Sequence, residues 1–465
     1  MRCTDRGRSS APSTAALSRR GMERSAELRR PTAYLFVSPA PRSLSNRRPK
    51  CPARRWLCQA PTPDAPTATA PLPPPHAPLL LRALRGEQSL PRPPVWLMRQ
   101  AGRYMSIFRD FSDKYTFRER SENAGIACEL SLQPLRAFGV DAVILFSDIL
   151  TPLPALGFAF DIQRGRGPVI AEPVRCAADV DTRLRRLESS AQAAFALPFV
   201  GEALRELQAT LADAPDRPAL LGFIGAPFTL AAYLVEGESG KSGGQRLKRM
   251  IYSVEGQRLF HRLLSSITES LAEYAVYQID SGADAVQLFD SWAHHLPPAH
   301  YPQLSLQYSM RLATAVHERR PDVPLILYAN GSCGKMRCVR EALRAAGAVR
   351  PQPLACLGLD WKTNMSAARR LLGRDMALQG NLDPMLLEVG ERAHLKWELE
   401  QCVRSAAGGA HIVNLGHGVT QSTPESMVAA LCEYVQELEY AEWYRQLSAE
   451  HDSASAEENG PLRQG

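Results

Sequence analysis

Pro94-Val95-Trp96-Leu97-Met98-Arg99-Gln100-Ala101-Gly102-Arg103 passes from an apolar run straight into a charged, glycine-containing turn. The same grammar recurs down the chain. Strands are expected at Val95–Met98, Val140–Phe146, Ala219–Gly225, Asp284–Phe289, Pro324–Ala329, Leu354–Leu359, Ala377–Gly380 and His411–Leu415. Most are short apolar runs without polar alternation, the mark of parallel strands covered on both faces. Helical patterns lie between them. In Leu259–Ile279, for instance, Phe260, Leu263, Leu264, Ile267, Leu271, Tyr274 and Ala275 trace one face. Thr423-Pro424 announces the last helix, as N-cap and first-turn proline. Eight strands alternating with helices point to a single (β/α)₈ TIM barrel rather than an open doubly wound sheet.

The barrel is expected over residues 78–446. Before it, residues 1–77 are rich in Arg, Ser, Ala and Pro, and residues 1–75 carry 14 Lys and Arg against 4 acids. This reads as a transit peptide, basic and poor in acids. The chain's net +7 therefore belongs to the leader. The rest is net acidic and gives no case for nucleic-acid binding. Residues 447–465 read as a disordered polar tail. None of the 10 cysteines forms a C-x-x-C pair, which suits reduced thiols. No apolar run is long enough to span a membrane.

In such barrels chemistry sits just past the C-terminal ends of the strands. Those positions hold Arg99–Arg103, Ser147-Asp148, Ala226-Pro227-Phe228-Thr229, Asp290-Ser291-Trp292, Asn330-Gly331, Asp360-Trp361, Asn381 and Gly416-His417-Gly418. Any one of them reads as a turn or cap; eight in register do not. Arg99 and Arg103 suit a carboxylate-rich ligand, the alternative being a structural ion-pair network. Small Ala101 and Gly102 between them let a ligand reach backbone N–H groups. Asp148 is either satisfied by an arginine or accepts ligand N–H groups and stabilises positive charge. Gly240-Lys241-Ser242 lacks the upstream glycine and strand of a phosphate loop, and Glu236–Gln245 reads as a mobile loop. His294, His295 and His300 lack partners for a tetrahedral metal set.

At these residues the sequence resembles the uroporphyrinogen decarboxylase family. The matching blocks are Pro94–Tyr104, Phe146–Leu150, Gly225–Leu230, Gln287–Ala293, Gln379–Pro384 and Asn414–Gly418. The resemblance implies a homodimeric barrel, without metal or organic cofactor, that converts uroporphyrinogen III to coproporphyrinogen III. It implies a site made of Arg99, Gln100, Ala101, Gly102, Arg103, Asp148, Tyr233, Ser291 and His417, with Asp148, Arg99 and Arg103 catalytic. It also implies a plastid address, a mitochondrial or cytosolic one being the alternative. Three positions depart from the family pattern: Ser106 for a proline, His294 for a glycine, and Val419–Ser422, which lacks a proline. The rival reading is a zinc-dependent methyltransferase of the related barrel class, which carries a His-x-Cys pair where Tyr328 and Asn330 stand here. A second rival is a porphyrinogen-binding relative without catalysis.

Overall fold

The computed structural model describes residues 77–440 and 443, apart from 88–89, 164, 215, 240–242, 346–351 and 439. The leader, the tail and Gly240-Lys241-Ser242 lie outside the described residues. Among the described residues nine strands are present: β1 (Ala142–Ile144), β2 (Phe160–Gln163), β3 (Gly167–Ile170), β4 (Ala219–Gly225), β5 (Ala285–Asp290), β6 (Leu325–Ala329), β7 (Cys356–Gly358), β8 (Ala377–Gln379) and β9 (His411–Ile412). Seven of them form one parallel sheet in the order β1-β4-β5-β6-β7-β8-β9. All seven residues of β4 are buried, as its unbroken apolar run requires of a strand with side chains packed on both faces.

The eighth stave is the segment around Val95, shortened to a single bridge where a four-residue strand was expected. Val95 pairs in parallel with Val413. Val413 N–H donates to Pro94 O at 2.9 Å, and Trp96 N–H donates to Val413 O at 3.3 Å. On the other side Asp141 N–H donates to Val95 O at 2.8 Å. Side chains replace the missing ladder. Arg92 grips Asp141 through both guanidinium nitrogens at 2.7 and 2.8 Å, and Asp141 also accepts the Val95 N–H at 2.7 Å. Beyond the bridge, Met98 N–H donates to Asn414 Oδ1 at 3.0 Å, and Val419 N–H donates to Met98 O at 2.9 Å. The barrel is closed by this seam, which joins the first and last staves.

The predicted helix over Leu259–Ile279 lies inside the helix Val254–Asp280, which Ser253 caps through the Gly256 N–H. The last helix begins at Glu425 with Pro424 in the N-cap position, one residue later than expected. The Thr423 hydroxyl pairs with Thr420 instead of capping. The antiparallel hairpin β2–β3 was not expected, because both strands are four residues long, β2 alternating between half-buried and exposed and β3 beginning on Gly-Pro.

Candidate active site

The arginine loop is built from beneath. Gln100 is 1% exposed, its Oε1 accepts the Leu97 N–H at 3.1 Å, and its Nε2 donates to Ala142 O at 3.0 Å. Its carbonyl takes the Tyr104 hydroxyl at 2.7 Å. This side chain is therefore spent on fixing the loop. Arg99 is held at φ +60°, a left-handed conformation that costs a non-glycine residue about 1–3 kcal/mol and is kept only where the surroundings impose it. Arg99 and Arg103 are both exposed, and neither guanidinium forms an ion pair among the described residues. The structural-network alternative for them thus finds no carboxylate partner. Like charge accumulates here: Arg103 and burial together depress the pKa of Arg120, which is caged by Phe108, Phe117 and Phe146.

Asp148 sits in the turn after β1 and is half-buried. Its Oδ1 accepts the Leu150 N–H at 2.8 Å, and its other oxygen takes no hydrogen bond among the described residues. Loss of water pushes the carboxyl pKa up, while the Leu150 N–H and the Arg99 charge pull it back. Tyr233 lies on the helix Pro227–Glu236, and its pKa rises first through burial. The Trp292 side chain and Arg99 lower it, and the Asp148 charge raises it further. Arg99, Asp148 and Tyr233 thus share one electrostatic neighbourhood. Ser291 follows β5 directly, its carbonyl accepting the Asn330 amide at 3.2 Å.

His417 completes the ring of residues from the turn after β9. Burial, then Arg99, lower its pKa. The backbone here leaves no room: a Cβ on Gly418 would collide with Cδ and Cγ of Arg99. Gly418→Ala is therefore expected to displace the Arg99 side chain, raising KM by about tenfold, the loss of one good charge-assisted contact. Steady-state kinetics on the folded variant reads this out; an unchanged KM would show that Arg99 acts from another position.

Tyr328 and Asn330 mark the strand end where the rival methyltransferase class carries its His-x-Cys pair. Tyr328 donates to Gly416 O at 2.9 Å, which ties β6 to the His417 turn. Among the described residues no three His, Cys, Asp or Glu side chains gather as a metal would require. The His294 and His295 rings lie 4.1 Å apart and tilted by 38°, whereas His300 sits apart against Tyr252.

A family model described as Uroporphyrinogen decarboxylase (URO-D) matches residues 75–438. The chain belongs to the uroporphyrinogen decarboxylase family. Relatives agree. It is 47% identical over 349 residues to the uroporphyrinogen decarboxylase of Synechococcus sp. (strain CC9605), covering 75% of this chain and 93% of that one. It is 45% identical over 364 residues to uroporphyrinogen decarboxylase 2, chloroplastic, of Arabidopsis thaliana, covering 78% and 86%. A methyltransferase from Methanosarcina mazei shares the fold with TM-score 0.59 at 20% identity, over 77% of this chain and 97% of that one.

This uroporphyrinogen decarboxylase family member also carries a buried polar network that sequence reading assigned no role. Asp290, 0% exposed at the end of β5, accepts hydroxyls from Thr229 at 2.9 Å and Ser305 at 2.5 Å. Thr229 Oγ1 in turn accepts the Trp292 N–H at 3.1 Å, so the network fixes the turn that presents Ser291. Burial pushes the Asp290 pKa up to about 6, against the two hydroxyls and the Lys335 charge. A carboxyl whose folded pKa is raised stabilises the fold most below its unfolded pKa, and that contribution disappears as pH climbs through the folded value. The expected result is that Asp290→Asn, compared with the parent by thermal melting, gains relative stability between about pH 4 and 7. A difference in Tm that stays constant with pH would refute the titration.

Proposed function

We propose that this chain removes the four acetate carboxyls of uroporphyrinogen III as CO₂, leaving methyl groups and producing coproporphyrinogen III. The observation that carries the reading is the pairing of unlike groups: two arginines with no acidic partner among the described residues, beside an Asp148 carboxylate with an uncommitted oxygen. A substrate with eight carboxylates around a centre of pyrrole N–H groups matches both. Protonating a pyrrole carbon makes the ring an electron sink. The C–CO₂⁻ bond then breaks, its electron pair moves into the ring, a second proton completes the methyl group, and loss of the first proton from the ring carbon restores the pyrrole. Asp148 accepts the pyrrole N–H groups and offsets the cationic intermediate, a fixed charge needing no rearrangement during the reaction. Arg99 and Arg103 hold carboxylate arms and share in catalysis, with Ala101 and Gly102 leaving the loop backbone open to them. Tyr233, Ser291 and His417 position the reacting arm. The substrate supplies its own electron sink, so the reaction asks for neither an organic cofactor nor a metal.

The reading extends to assembly and address. The chain works as a homodimer, and exposed Trp361, Met385 and Val389, which line a groove of about 800 Å³ that contains none of Arg99, Asp148, Tyr233 or His417, offer apolar surface for it. Residues 1–77 act as a transit peptide to the plastid stroma, residues 78–446 form the catalytic barrel, and 447–465 are a polar tail. The chloroplastic name of the Arabidopsis relative and the basic, acid-poor composition support this.

The decisive experiment incubates purified protein with uroporphyrinogen III in reducing buffer and follows coproporphyrinogen III by chromatography. No product from folded protein would favour a binding-only role, and stoichiometric zinc in the same preparation would favour the methyltransferase reading. Size-exclusion with light scattering tests the dimer. Imaging residues 1–77 fused to a fluorescent protein tests the address.

A further inference from the structure

We infer that His294 is an additional binding residue of the cleft, a cation formed on demand that takes one carboxylate arm of the substrate beside Ser291. The inference rests on the tetrapyrrole reading above. Four rings make a continuous row: Tyr233 to Trp292 at 4.9 Å, Trp292 to His295 at 4.8 Å, and His295 to His294 at 4.1 Å. His294 thus stands at the exposed end of the row whose other end is Tyr233. From behind it is held by Gly331, whose φ of +70° brings the backbone so close that a Cβ there would lie 2.9 Å from His294 Cα.

The ring is oriented as well as placed. His294 Nδ1 lies 3.0 Å from Ser291 O. A carbonyl oxygen only accepts, so a protonated Nδ1 donates to it, whereas a bare Nδ1 accepts from the Asn330 amide 3.2 Å away. The neutral ring satisfies only one of these two contacts and brings no charge to a carboxylate. Only the protonated ring donates to Ser291 O and at the same time offers a charged Nε2–H to a carboxylate. The ring is therefore a conditional anion site.

Its charged surroundings fit that role. Lys335, Lys362 and Lys248 act on His294 from three separate elements, and His294 in turn acts on His295 and His417. The acids nearby are engaged elsewhere: Asp360 takes the Gly331 N–H and the Ser332 and Thr363 hydroxyls, and Glu236 takes the Leu247 N–H. Burial keeps the imidazole below its usual 6.5, helped by the lysines and opposed by its bond to Ser291. An arriving carboxylate offsets the lysines and raises it, so binding takes up a proton. Affinity is then greatest at low pH, where the ring is already charged, and KM climbs as pH rises.

The test measures kcat and KM for the parent, His294→Gln and His294→Arg over roughly pH 5.5–8.5, a range that spans the histidine titration. His294→Gln is expected to raise KM about threefold to fivefold at the acid end, the scale of one exposed ion pair, and to flatten its climb with pH. His294→Arg, charged throughout, is expected to hold KM low across the range. If His294→Gln keeps the parental KM and pH slope while the parent turns over uroporphyrinogen, the inference fails and the functional reading stands. If the parent itself makes no coproporphyrinogen, both fail together.

Discussion

Asp148→Asn is expected to lower kcat by roughly 10²–10³, the scale of losing one preorganised charge at a developing ion. The substitution is nearly isosteric. Its oxygen can still accept the Leu150 N–H that Asp148 accepts at 2.8 Å, so the turn after β1 survives. What changes is the other atom, which becomes a donor facing pyrrole N–H donors. It also removes the negative charge opposing a cationic ring. Initial rates at saturating uroporphyrinogen III measure the effect, and near-normal turnover would remove Asp148 from its electrostatic role. Because burial already pushes this carboxyl upward, the parental rate should also fall toward acid pH as the group gains a proton.

The second large effect concerns stability. Arg369 is 1% exposed and spends its guanidinium on four backbone carbonyls: Ala406 at 2.9 Å, Gly373 at 3.0 Å, Met376 at 2.6 Å and Ala410 at 2.8 Å. These lie in the connections leading into β8 and β9, so one side chain ties together the approaches to two staves. Arg369→Met keeps the length but orphans the carbonyls, each at about 1–3 kcal/mol, for a total of several kcal/mol. Thermal and urea melts should show a much lowered midpoint, with KM of the surviving folded protein unchanged. A midpoint within a degree of the parent would mean that water or neighbouring groups satisfy those carbonyls.

Most of the fold was legible because its staves are short apolar runs ending in polar turns. β4 matches its predicted bounds to the residue, since seven consecutive buried positions leave no ambiguity. The β2–β3 hairpin escaped because its strands are only four residues long, β2 alternating half-buried with exposed residues and β3 opening on a glycine and a proline. Val95–Met98 was over-read as a strand. Its apolar residues are buried, but Met98 gives its N–H to the Asn414 side chain rather than to a ladder, a contact between distant residues that local pattern does not encode. The site was legible as an assortment of residue types at strand ends. Its second layer was not. Gln100 looked like a ligand contact because it sits between Ala101 and the exposed Arg99, yet burial turns it into the brace under the loop. Inside the barrel, Trp96 donates to Gln379 at 3.0 Å and Gln379 to Gln287 at 3.1 Å. The visible clue was a glutamine interrupting each of two apolar strands, which says that a partner exists without saying which.

The seam at Val95 also dictates an order of events during synthesis. The arginine loop leaves the ribosome early, but its resting place is defined by Asn414, Val419 and Gly418, near the far end of the barrel. At about 5–20 residues per second, that loop waits tens of seconds for its scaffold. A nascent chain cut short just before Asn414 would already contain the whole loop and still lack the side chain that takes the Met98 N–H. Translation therefore finishes the support of the arginine loop almost in its last strokes.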